Sequence, residues 1–125
     1  MTHHEAIEAL SQQTGTKLAF NDVGLCRLRF DGRFVVDMEV ADDEAAIYLY
    51  CRLGLLPAGE QGRELMERMM RAHCLGRESG RTCFGLDDGA VMAFVRVELA
   101  GAEERTLYTE LEAFLDVLAI WADEL

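Results

Sequence analysis

The stretch LCRLRFDGRFVVDMEV, residues 25–40, decides how the rest of the chain is read. Phe34, Val36, Met38 and Val40 fall on one side of an extended chain, and Arg33, Val35, Asp37 and Glu39 on the other. That period of two is the mark of a strand with one buried face. Asp31-Gly32, just before it, is a strong signal for a tight hairpin turn, because both residues tolerate the positive φ that such turns need. Leu25 to Phe30 alternates in part and forms the partner strand, so an antiparallel pair is predicted here.

Before this hairpin, Thr2 with Glu5 makes a capping box. Ala6, Ile7, Ala9 and Leu10 then give an amphipathic helix that stops before Gly15. After it, residues 45–56 fit two periods. Ile47, Leu49, Cys51 and Leu53 alternate as in a strand, while Ala46, Leu49, Tyr50 and Leu53 satisfy helical spacing. Aromatic content and the preceding hairpin favour the strand. Gly54 to Gly62, with Pro57 and Gly59, reads as a breaker-rich connection. Leu65, Met66, Met69, Met70 and Cys74 then mark a second helix ending near Gly76, with Glu64/Arg68 and Glu67/Arg71 paired on its polar face.

A second hairpin follows from Thr82–Leu86, the turn Asp87-Asp88-Gly89 and the alternating Ala90–Leu99. Leu107, Leu111, Phe114, Leu115, Leu118 and Trp121 recur in steps of three and four and define a closing helix within Glu103–Leu125, with Glu103 and Glu104 at its start. The expected architecture is one α+β domain over residues 1–125 in the order α-β-β-β-α-β-β-α, its five-stranded sheet mostly antiparallel. Length agrees, since 125 residues make one domain. A chain of 14.0 kDa is expected to keep about 6,700 Å² of surface once folded.

Twelve basic against 23 acidic side chains leave a net charge of −11. Phosphate backbones and anionic lipid are repelled by such a chain, which argues against nucleic-acid binding and membrane attachment. With 50% hydrophobic residues and no long apolar run, disorder and membrane insertion are disfavoured too, and a cytoplasmic location is expected. Cys26, Cys51, Cys74 and Cys83 form no CxxC pair and read as free thiols. The search for chemistry yields no phosphate loop, nucleophile elbow or zinc motif, so no catalytic residue, metal or cofactor is assigned. His73 and Cys74 are helix neighbours that diverge by about 100° and do not form a nucleophile–base pair. Asp42-Asp43-Glu44 reads as a solvated loop that keeps a sheet edge soluble. Met66, Met69 and Met70 give the second helix a soft apolar face, suited to a core or to an adaptable contact. Three apolar helix stripes in so small a domain leave surface to share with a second copy of the chain.

Several short stretches carry a likeness to a known family. They are Phe30-Asp31-Gly32, Leu53-Gly54-Leu55-Leu56-Pro57, Met69-Met70-Arg71-Ala72-His73-Cys74, Gly85-Leu86-Asp87-Asp88-Gly89, and the closing helix with Phe114 and Trp121. With the element order and the acidic balance, they make the chain resemble the class I type III secretion chaperones, the Tir-chaperone (CesT-like) family. His73 departs from the family's usual asparagine, and Met69 and Met70 replace leucines. The resemblance implies a non-catalytic homodimer that needs no ATP. It would bind the N-terminal segment of a secreted effector and keep it soluble and secretion-competent. It also implies a dimer interface at Leu65, Met66, Met69, Met70 and Phe84, and effector contacts at Ile7, Leu10, Leu28, Phe34, Val36 and Met38. Two other readings stay open: a regulatory dimer that sequesters a secretion regulator, and a small α+β enzyme whose site forms at a dimer interface.

Overall fold

Three helices and five strands account for most of the chain in the computed structural model, which describes residues 1–125. They are α1 (His3–Thr14), β1 (Leu25–Phe30), β2 (Phe34–Val40), β3 (Ala46–Leu55), α2 (Gly59–His73), β4 (Cys83–Asp87), β5 (Ala90–Glu98) and α3 (Thr106–Trp121). The strands form one sheet in the order β1-β2-β3-β5-β4, antiparallel throughout. Element order and sheet type are those the sequence predicts.

Local chemistry explains most boundaries. The Thr2 hydroxyl accepts the Glu5 N–H while the Glu5 carboxylate accepts the Thr2 N–H, and Gly15 closes α1 in a left-handed conformation. Asp31 and Gly32 both take positive φ, and with Arg33 they make a three-residue loop closed by the Phe30–Phe34 pair. Asp88 and Gly89, also at positive φ, make a two-residue turn between the paired Asp87 and Ala90. The ambiguous segment is a strand because β3 pairs on both sides, with β2 and with β5. Its double hydrogen-bond ladder outweighs a helical alternative that would satisfy only local bonds.

Two boundaries differ from expectation. The helix α2 begins at Gly59 and contains Gly62, which the sequence placed in the connection. A Cβ at Gly62 would stand 1.8 Å from the Pro57 carbonyl oxygen, so this glycine serves a close approach of backbone to helix and breaks nothing. The helix α3 begins at Thr106, leaving Glu103 and Glu104 before it. The Thr106 hydroxyl accepts the Glu103 N–H there.

Alternation divides the sheet into two faces. The inner face carries Cys26, Leu28, Phe34, Val36, Met38, Ile47, Leu49, Val95 and Val97, covered by Ala6, Ile7 and Leu10 of α1 and by Leu107, Leu111, Phe114 and Leu118 of α3. The helix α2 sits to one side over a smaller cluster of Leu65, Met69, Ala72, Val91 and Trp121. Cys26 and Cys51 are buried, whereas Cys83 is half-buried and Cys74 exposed. Burial pushes the Cys26 and Cys51 thiols above the ordinary cysteine range. Because the thiolate is the reactive form, Cys74 is expected to react first with a disulfide reagent, and Cys26 and Cys51 only on unfolding. Timed thiol titration with mass mapping checks this, and fast labelling of Cys51 would overturn it.

Candidate partner-binding surface

The helix α2 presents two unlike flanks. Leu65, Met69 and Ala72 face inward and are buried. Met66, Met70 and His73, spaced four and three apart, form a stripe beside them, in which Met70 is 71% exposed. This stripe runs toward β4: the His73 ring lies 6.0 Å from the Phe84 ring, and Phe84 meets Trp121 edge-on at 5.6 Å. Beyond α2, Leu75 is 85% exposed and holds a left-handed φ of 58°. That conformation costs a leucine about 1–2 kcal/mol. An exposed, strained apolar residue next to exposed methionines is the pattern of a contact surface. On the opposite flank Arg68 bonds Glu124 at 3.0 Å and Arg71 bonds Glu67, so that side is polar.

The outer face of the sheet has no helix over it. Tyr48 stands opposite Arg96 and Tyr50 opposite Phe94 in the β3–β5 register. Met92, Phe94, Tyr48 and Tyr50 line a hollow of about 410 Å³. Toward β1 the same face is polar. Asp37 is buried there and accepts two hydrogen bonds from Arg27, at 2.7 and 3.1 Å. The sequence placed Asp37 in solvent, but the guanidinium and Tyr50 cover it. Arg96 donates to the Tyr48 hydroxyl at 3.0 Å and to Glu98 at 2.5 Å, and it stands 3.9 Å from Asp43. Asp43 also accepts the Ala45 N–H, so the acidic loop is tied to its own turn. At the two ends of the sheet, β1 and β4 each lack a strand partner on their outer side. Such edges offer main-chain donors and acceptors to an added strand.

The residues assigned to effector contact do not lie on these surfaces. Ile7, Leu10, Phe34, Val36 and Met38 are buried, Leu10, Val36 and Met38 completely, and Leu28 is half-buried against the same core. They are apolar because α1, α3 and the inner sheet face cover one another. The interface set is divided as well. Leu65 and Met69 belong to the protomer's own core and Phe84 packs against it, while Met66 and Met70 are exposed. Leu75, Leu86 and the Tyr50–Phe94 pair were not singled out by sequence. The strand alternation that sends Tyr50 and Phe94 outward was the available signal. No three His, Cys, Asp or Glu side chains converge anywhere in the fold.

These open surfaces belong to a fold with known relatives. The family model for the Tir chaperone protein (CesT) family matches residues 5–122. The chain belongs to the Tir chaperone (CesT) family. Solved structures share the fold at low identity. The Yersinia pestis type III secretion chaperone SycH, in complex with a stable fragment of YscM2, superposes with a TM-score of 0.72 at 17% identity, covering 92% of this chain and 95% of that one. The HopA1–SchA chaperone–effector complex gives 0.78 at 18% identity, over 97% and 93% of the two chains. The heterodimeric ExoU–SpcU complex from the type III secretion system of Pseudomonas aeruginosa gives 0.77 at 16% identity, over 95% and 96%. No curated protein sequence matches the chain. For a Tir-chaperone family member, the exposed stripe on α2, the open sheet face and the two free edges are the surfaces to explain. No helix of the protein is long and apolar enough to cross a membrane.

Proposed function

We propose that the protein is an effector-specific secretion chaperone: a homodimer that binds the N-terminal segment of a type III secreted protein and holds it soluble and unfolded, without catalysis. The observation that carries this reading is the apolar surface left open on a folded protomer of the Tir chaperone (CesT) family. The protomer exposes 7631 Å², roughly 900 Å² more than is typical of its mass. Met66, Met70 and Leu75 are exposed apolar residues on the α2 side, where a symmetric partner would meet the same residues. An effector segment would add to a sheet edge through main-chain bonds and seat side chains on the sheet. The net charge of −11 keeps such a surface soluble and draws basic segments toward it.

Co-expression with the N-terminal segment of a candidate type III substrate tests this. The expected result is a complex of two copies of the chain to one segment by light scattering, with segment amides protected from exchange only where they pair with a sheet edge. Affinity for the segment should fall as salt rises from about 0.05 to 0.5 M, because screening shortens the reach of surface charge. A monomer that retains no segment would overturn the reading. A salt-independent affinity would remove the electrostatic part of it.

A further inference from the structure

We propose that the hollow on the open sheet face receives a basic side chain, arginine above lysine, from an extended partner segment; this rests on the chaperone reading and names what that surface recognises. The floor is aromatic and soft. Tyr50 and Phe94 are a directly opposed cross-strand pair, and Met92 lies beside them in the same hollow of about 410 Å³. Glu39 and Asp87 stand on its rim, both exposed, and neither forms an ion pair within the chain. Rim carboxylates without an ion partner, beside the Tyr50 and Phe94 rings on which no arginine is stacked, attract a guanidinium, which stacks on a ring face while its edge donates to oxygen.

The surrounding charges bear this out. Arg96 already lies over the Tyr48 ring at 5.5 Å, and Glu98 and Asp43 hold it there. One stacked arginine thus sits within this surface, while the Tyr50 and Phe94 rings have none. Arg52 lies opposite Met92 in the register but outside the lining of the hollow. Burial first, then the charges of Glu39 and Asp37, push the Tyr50 hydroxyl above the ordinary tyrosine range, with Arg27 acting weakly the other way. An apolar segment alone would leave both rim carboxylates uncompensated. A segment with arginine between apolar residues satisfies floor and rim together.

Methionine-methyl NMR tests the site, because Met92 lies in the hollow and Met66 and Met70 lie on α2. The probe is a capped Gly-Leu-Arg-Leu-Gly peptide, titrated into the dimeric wild-type chain beside its citrulline twin, which keeps shape and loses charge. The expected result is a saturable shift of Met92 alone, at least about tenfold weaker with citrulline. The double variant Glu39→Gln/Asp87→Asn, altered only at exposed positions, should lose a similar factor. An unmoved Met92, or equal response to both peptides, overturns the site. So does a Met92 that responds only in a monomeric variant, since a second copy would then cover the hollow. Effector binding is read separately by co-purification. A chain that holds its effector segment yet ignores arginine loses this site and remains a chaperone.

Discussion

Met70→Asp is expected to yield a folded monomer, and Met69→Asp a chain that no longer folds. The two residues are adjacent and chemically identical, yet α2 turns them to different environments. Met69 is 5% exposed and packs with Leu65, Ala72, Val91 and Trp121. Those neighbours include no cation, and their one side-chain donor is the Trp121 indole N–H. Burying a carboxylate among them costs several kcal/mol, against a total stability of about 5–15 kcal/mol for an ordinary domain. At Met70 the same carboxylate stays hydrated in the protomer and costs almost nothing until a second copy covers it. Symmetry then brings two such charges into one apolar contact, and a loss of about 3 kcal/mol or more corresponds to a dimer weakened at least about 100-fold. Light scattering across a dilution series, paired with thermal melting by circular dichroism, separates the two outcomes. A Met70→Asp variant that remains dimeric at wild-type strength would place the interface away from α2.

Gly62→Ala should lower the melting temperature by about 12 °C, although alanine is the better helix former. By propensity alone the change favours α2 by about 1 kcal/mol. The added Cβ would sit 1.8 Å from the Pro57 carbonyl oxygen and 2.9 Å from its carbon, and backbone cannot swing aside as a side chain can. The connection is also pinned, since Leu56 donates its N–H to the Gly89 carbonyl at 2.9 Å. Relieving the clash shifts α2, with its Leu65 and Met69, off Val91 and Trp121, a penalty of about 3 kcal/mol net, which for a domain of this size is worth about 4 °C per kcal/mol. Calorimetry of the purified variant checks it. An unchanged or raised melting temperature would show that the Pro57–Gly62 approach is loose in solution.

Hairpins were legible because their chemistry is local. Asp31-Gly32 and Asp88-Gly89 carry their own conformational preference, and the strands around them alternate cleanly. The capping box at Thr2 and Glu5 was legible for the same reason. Residues 46–55 satisfied two periods at once, and only the pairing of β3 with both β2 and β5 resolves them. At the candidate surface the limit is different. Sequence marks Val36, Met38, Met69 and Met70 alike as apolar, yet only Met70 meets solvent. Apolarity records a need for cover without saying which element supplies it. The helices α1 and α3 cover Val36 and Met38, β5 and α3 cover Met69, and nothing in the protomer covers Met70.

From its sequence alone the chain determines the order of its elements, the turns that join them and the side of each strand that seeks cover, because these follow from backbone preference and spacing within a few residues. The tertiary structure decides which covered positions are satisfied within one copy. It also sets Tyr50 across from Phe94 and brings Asp87 and Glu39 to the rim of one hollow. Such pairs are about 40 residues or more apart in the chain, and contact at that separation is fixed by sheet register and helix docking, which no local pattern encodes.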